Sequence, residues 1–373
     1  MSNQSIHTIN THNNMQRNKI NFKGQKIFVG IDVHKNSWQV TSLTETGLKR
    51  THLQNNASAK ELHDFLNRYY PEGEYIAVYE AGFSGFSTYY ALKEQGIDCM
   101  VIHAADVPTS QYETLMKSDK VDSEKLAKAL RAGTLKGIYI REKENLDDRS
   151  LVRIRTTIVG ELSAYRHRIK HLLMTHGIEL PEPFASMNNC WNKAFIKWLR
   201  EDVILMSSTR RSLDSLIDQV ESVRKNLLQI TLEIRKLSRS SKYSERMELL
   251  RSVPGIGLIC SMSLLTEIYD FERFHNEREF ASYLGLIPTS HSSGDKVVHG
   301  EKTFRGNKQL GPLLIQGSWV AVRKDSVLSS AFSKYLRRMT PQKAIVRIAR
   351  KMSNIIFAVL KTGKKYVPFE GNR

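Results

Sequence analysis

The chain has 373 residues, 40% of them apolar, 9% aromatic and 25% charged, a globular composition with ample length for a buried core. Its 56 Lys and Arg against 38 Asp and Glu leave a net charge of +18 and a pI near 9.7, which points to nucleic acid before any other partner. No apolar run approaches the ~20 residues of a membrane span, and Cys99, Cys190 and Cys260 are too scattered for a disulfide framework or a zinc knuckle.

Residues 1–25 are rich in Asn, Thr, His and Gln and lack the apolar stretch of a secretory signal, so they read as a disordered polar tail. The next block, 26–140, alternates strands and helices. Ile27-Phe28-Val29-Gly30-Ile31 is a continuous apolar run that ends on Asp32, the pattern of a buried strand closed by an acid. Trp38 to Leu43 alternates apolar and polar residues, and a Gly47 turn leads to a third strand. A helix over Ala57–Tyr70 stops at Pro71. The strand Tyr75–Tyr79 ends on Glu80, a helix runs over Ser87–Gln95, and Cys99–Ile102 makes a fifth strand. A helix over Asp122–Ala132 closes the block. This order implies an α/β sheet with a parallel portion.

Strand signal then fades. Residues 141–242 read as a helical linker and coiled coil. Asp147–His176 is helical and basic, and a long helical stretch follows over 192–240. Within it Leu213, Val220, Leu227 and Ile234 repeat every seventh residue, with Leu216, Val223, Ile230 and Leu237 offset by three. Those are the a and d positions of four heptads, and they suggest a coiled coil whose partner is a second chain or another helix of the same one. Residues 243–373 form a mainly helical block. Val253-Pro254-Gly255-Ile256-Gly257 resembles the turn of a helix-hairpin-helix, in which Gly255 and Gly257 would admit a phosphate. Thr289–Gly306 reads as a polar loop carrying Ser290, Ser292, Ser293, Lys296, Lys302 and Arg305. From Lys334 onward, eleven Lys and Arg face one acid, Glu370, a credible clamp on a phosphate backbone.

The acids carry the chemistry. In a sheet with parallel central strands, Asp32 and Glu80 emerge at one edge, where ligands bind. Asp119 and Asp122, three apart, share one face of a helical turn. Taken singly, Asp119 is a natural helix cap and Glu80 a surface acid. Taken together, four converging carboxylates need a counterion, and Mg²⁺, as one ion or two, suits oxygen ligands and phosphoryl transfer.

Three segments sharpen this: Gly30-Ile31-Asp32-Val33-His34-Lys35, Tyr79-Glu80-Ala81-Gly82 and Lys117-Ser118-Asp119-Lys120-Val121-Asp122. With Val253-Pro254-Gly255-Ile256-Gly257 and Gly285-Leu286-Ile287-Pro288 through Ser292-Ser293-Gly294, they resemble the DEDD transposases of the Piv/MooV invertase and bridge-RNA-guided insertion-sequence family. The resemblance spans nearly everything after Lys26. It implies an RNase H-like (RuvC-like) domain, a coiled coil, and a C-terminal transposase domain with a catalytic serine. By that match the nucleophile is Ser293, with Ser292 as the alternative. Asp32, Glu80, Asp119 and Asp122 would hold Mg²⁺, and Lys296, Lys302 and Arg305 would contact nucleic acid. The family often carries a Leu-Arg pair after its Gly-Asn; here Gly306-Asn307-Lys308-Gln309 leads to Leu310-Gly311, so that phosphate contact is either missing or moved to Lys308. The implied partners are donor and target DNA, a guide RNA encoded by the element, and further copies of the chain as a dimer or tetramer. The implied setting is the cytoplasm, at the nucleoid, with no membrane. Two other functions fit the same residues: a RuvC-like nuclease or junction resolvase that uses water, and a non-catalytic nucleic-acid-binding protein.

Overall fold

A computed structural model describes residues 21–107, 118–185, 191–293, 296–302 and 306–368. They form two compact units, divided between Ile140 and Arg141.

The first unit is built on a five-stranded sheet in the order β3-β2-β1-β4-β5. Its strands are β1 (Lys26–Val33), β2 (Trp38–Thr44), β3 (Lys49–Gln54), β4 (Glu74–Glu80) and β5 (Asp98–Ile102). β1 pairs antiparallel with β2 and parallel with β4, and β4 pairs parallel with β5. Helix α1 (Ala59–Tyr69) connects β3 to β4, and α2 (Ser87–Glu94) connects β4 to β5. Side chains alternate across each strand. Ile27, Val29 and Ile31 of β1 join Tyr75, Ala77 and Tyr79 of β4 in one core, together with Leu62 and Leu66 of α1 and Leu92 of α2. Phe28 of β1 and Ile76 and Val78 of β4 face the other way, onto Leu126 and Leu130 of α3 (Asp119–Arg131). The chain enters this core earlier than its composition suggests: Phe22 is buried, with its ring centroid 5.1 Å from that of Tyr70.

α3 begins three residues before the start read from the sequence. Ser118 is its N-cap and accepts a hydrogen bond from Val121 N at 3.4 Å, so Asp119 lies inside the helix and not at the cap. Asp119 and Asp122 therefore both occupy the first turn, where the helix dipole favours negative charge.

The second unit opens with α4 (Lys143–Thr175), followed by a short turn of helix, α5 (Glu182–Ala185). The stretch read as one helix over 192–240 is two: α6 (Lys193–Glu201), capped by Asn192, and α7 (Ser207–Leu237). α7 runs antiparallel to α4. Arg155 donates to Thr231 near one end, and Leu162, Ile169 and Leu173 pack with Leu213, Ile217 and Val220 toward the other. Much of the heptad stripe thus finds its partner within the chain. The stripe is also wider than an a/d seam, because Ile217 is fully buried while Leu216 is only half-buried.

The remaining helices are α8 (Ser244–Arg251), α9 (Leu258–Ile268), α10 (Glu277–Tyr283), α11 (Leu310–Lys324), α12 (Ser326–Leu336) and α13 (Pro341–Thr362). α9 is mostly apolar and is buried all round from Cys260 to Ile268, as the central helix of this unit. The segment read as a polar loop contains an antiparallel hairpin, β6 (Pro288–Ser293) with β7 (Lys296–Lys302). Ser and Gly signal turns, and here the paired backbone overrides that signal.

Candidate metal centre and serine hairpin

β1 meets α3 without a side chain between them. A Cβ built on Gly30 would lie 2.0 Å from the Ser123 carbonyl oxygen and 2.6 Å from Ala127 N. Only glycine permits that approach, and the next side chain on the same face of β1 belongs to Asp32. Its carboxylate therefore emerges at the first turn of α3. His34 Nε2 lies 3.2 Å from Asp32 Oδ2 and 3.2 Å from Asp119 Oδ2. One ligand atom from each of Asp32, His34 and Asp119 falls within 4.8 Å of the others.

Burial pushes the Asp32 carboxyl above the usual carboxylate range; His34 opposes the shift, and the negative charges of Asp119 and Asp122 add to it. Asp122 lies 3.9 Å from Lys125. Glu80 follows Tyr79, the parallel partner of Ile31, and shares the strand face of Val78, so it emerges on the α3 side next to Asp32. Among the described residues, the group that meets at ligand distance is Asp32, His34 and Asp119, without Glu80 or Asp122. His34 was not among the site residues read from the sequence. The signal was its position, two residues past an acid at a strand end.

The donor set fits a divalent cation. Two carboxylate oxygens suit a hard divalent cation, whereas the imidazole nitrogen of His34 is a ligand for transition metals, and a cation would relieve the repulsion felt by Asp32. The site opens to solvent, because the Asp119 side chain is 62% exposed and that of Asp32 26%.

A family model for the DEDD transposase of IS110 elements matches residues 29–177, and one described as "Transposase IS116/IS110/IS902 family" matches residues 247–335. The chain belongs to the IS110 family of insertion-sequence transposases. The transposase for insertion sequence element IS1111A of Coxiella burnetii is 25% identical over 259 residues, 68% of this chain and 70% of that protein. The transposase for element IS1533 of Leptospira borgpetersenii is 26% identical over 261 residues, 68% and 73% of the two chains. A 43.6 kDa protein of the IS110 element of Streptomyces coelicolor is 33% identical over 119 residues, 31% of this chain and 29% of that one. The protein is a DNA transposase, and its mixed sheet with flanking helices fits the DEDD nuclease-like architecture. Family membership implies DNA substrates and points to divalent metal use. Among the described residues, no helix is long and apolar enough to cross a membrane.

The transposase's second unit carries the remaining sequence-read residues. Ser292 and Ser293 close β6, paired with Val297 and Lys296 of β7, and Lys302 ends β7; for these residues the backbone alone is described. Gly294 and Arg305 lie outside the described residues. Gly255 adopts φ +83°, and a Cβ there would lie 2.2 Å from the Gly317 carbonyl oxygen of α11. Its lack of a side chain thus serves helix packing. Gly257 is exposed as the N-cap of α9, and Lys308 is exposed just before α11.

Beneath the hairpin lies a buried polar cluster that no motif or spacing singled out. Glu267, 1% exposed, sits near the end of α9. Arg153 donates to it through Nε and, at 3.0 Å, Nη2. Arg149 Nε lies 3.0 Å away, and Asn307 Nδ2 donates at 3.0 Å. Burial alone would push the Glu267 carboxyl up. The Arg153 hydrogen bond, the charges of Arg149 and Arg153 and the Asn307 hydrogen bond outweigh it and hold the carboxyl below its usual range. Arg141 and Tyr283 donate to the Glu267 carbonyl oxygen and Asn145 to that of Thr266, satisfying the carbonyls of a buried helix end.

Proposed function

We propose that this transposase moves its insertion sequence under the guidance of an element-encoded RNA, and that Ser293 and the DEDD carboxylates share the strand chemistry. The observation that carries this reading is the meeting of Asp32, His34 and Asp119 beside Asp122, at the end of the strand pair that also delivers Glu80. Mg²⁺, singly or as a pair, is the proposed ion at Asp32, Glu80, Asp119 and Asp122. When bound, it would neutralise these carboxylates and the charge developing on the scissile phosphate.

In the cleavage step the Ser293 hydroxyl oxygen forms a bond to phosphorus. The bond from phosphorus to the 3′ oxygen breaks, the serine proton leaves to a base, and the 3′ oxygen takes a proton. The products are a phosphoserine linkage and a free 3′-hydroxyl. Rejoining reverses the step on another strand. Lys296, Lys302, Arg305 and Lys308, with the backbone at Gly255 and Gly257, are the proposed nucleic-acid contacts. The net charge of +18 supports binding of both RNA and DNA. Exchange between two duplexes needs several active sites, so we assign a homodimer or homotetramer. Leu228 and Leu232, 56% and 41% exposed on α7, support a role for that helix in it.

The test is to purify the full-length protein, sequence its RNA and assay strand exchange in Mg²⁺. A single structured RNA and loss of exchange in Asp119→Ala and Ser293→Ala are expected. Unchanged cutting by Ser293→Ala would leave a water-using nuclease. Intact exchange in Asp32→Ala and Asp119→Ala would leave a protein that only binds.

A further inference from the structure

The hairpin β6–β7 leaves and rejoins the second unit at one point. Asn307 N donates to the Tyr283 carbonyl oxygen at 2.7 Å. A Cβ on Gly306 would lie 2.2 Å from the Gly285 Cα, and Gly285 itself adopts φ +66°. The two feet of the hairpin are therefore in backbone contact, and nothing larger than glycine fits between them.

Asn307 joins that contact to the interior. Its Oδ1 accepts from Gln309 N and Leu310 N at 2.9 and 3.1 Å, which starts α11. Its Nδ2 donates to Glu267 and to the Tyr283 hydroxyl at 3.0 and 3.2 Å. Glu267 is held in turn by Arg149 and Arg153 of α4. Three helices and both feet of the hairpin thus meet through one buried carboxylate and one amide.

We propose that Glu267 and Asn307 form a latch that fixes the feet of the β6–β7 hairpin and thereby positions Ser293. The inference rests on the reading of Ser293 as nucleophile. Neither residue touches the reacting atoms; they are positioning residues. A small displacement at the foot of a hairpin is carried to its tip, and misplacement of a nucleophile by about 1 Å costs on the order of a hundredfold in rate.

Asn307→Asp separates this role from general stability. The substituted side chain keeps the oxygen that caps α11, and it sets a carboxylate against Glu267 in place of the donor. Two measurements on the full-length protein decide the matter: hydrogen exchange along the chain, and the rate of covalent adduct formation with a nicked DNA substrate against the Kd for that DNA. In Asn307→Asp, amides of β6 and β7 should exchange about tenfold faster or more while α8 and α9 keep their protection. Adduct formation should slow by a similar factor with Kd unchanged. Glu267→Gln in the Asn307→Asp background restores an amide–carboxylate pair with its members exchanged, and should recover much of both losses. Unaltered hairpin exchange, loosening spread evenly over the unit, or a loosened hairpin with an unaltered adduct rate would each overturn the latch. Absence of any serine adduct in the unsubstituted protein would remove the nucleophile reading, and the exchange measurement alone would then decide whether the latch exists.

Discussion

A Cβ on Gly30 would stand 2.0 Å from the carbonyl oxygen of Ser123. This approach of β1 to α3 sets the distance between Asp32 and Asp119. Gly30→Ala should therefore act on stability and on the metal site together. The two nearest atoms it meets, Ser123 O and Ala127 N, are backbone, so the helix must move, at a cost of about 3 kcal/mol, the upper end for overpacking. Gly160→Ala, in α4 with nothing within 4 Å of its Cβ, should instead gain up to ~1 kcal/mol. Denaturant unfolding of the two variants makes the comparison.

Divalent metal should stabilise the fold through Asp32 and Asp119. At a hundred times Kd the gain is about 2.7 kcal/mol, and Asp119→Asn should lose it in thermal unfolding. Without metal the sign reverses for Asp32. Its raised carboxyl binds a proton more tightly when folded. That stability is fully present below the unfolded pKa, about 3.9, and is lost as pH rises through the higher folded value. Asp32→Asn should therefore unfold at a higher temperature than the unsubstituted protein at neutral pH without metal, and should respond less to metal.

Glu267 predicts the opposite slope. Its folded carboxyl is held below the ordinary value, so its stabilisation is present above the unfolded pKa of about 4.3 and is lost as pH falls through the folded one. Glu267→Gln should flatten that acid limb. At neutral pH it should cost about 3–5 kcal/mol, because Arg149 and Arg153 lose a buried partner. Unfolding followed from pH 7 to pH 3 shows both effects.

The helical hairpin gives a packing test. Ile217 is fully buried between α7 and α4, so Ile217→Ala should cost about 2–5 kcal/mol. Leu228, 56% exposed, should cost under ~1 kcal/mol in the monomer when changed to Ala. Analytical ultracentrifugation of Leu228→Ala then reports separately on assembly.

Strand and helix periodicity made the first unit legible. An apolar run ending on Asp32, another ending on Glu80, and the spacing of Asp119 and Asp122 needed no coordinates. His34 was hidden because it lies in a loop, where periodicity says nothing about direction. The α7 stripe was legible as a stripe but not as a pairing, since heptad spacing names no partner. Glu267 was illegible for a different reason. A single acid in the apolar run of α9 acquires meaning only from Arg149 and Arg153, over a hundred residues earlier, and from Asn307, forty residues later. Gly255 shows the converse, a motif glycine whose small size is used to pack against Gly317 of α11.

The identity of the residue joined to DNA tests the serine mechanism most directly. A substrate with a single scissile phosphate would be incubated with the full-length protein, its RNA and Mg²⁺, and the covalent adduct digested and sequenced by mass spectrometry. A phosphodiester on Ser293 is expected, present in the unsubstituted protein and absent from Ser293→Ala and Asp119→Asn. Cleavage without any protein-linked DNA, or linkage to a residue outside the β6–β7 hairpin, would contradict it.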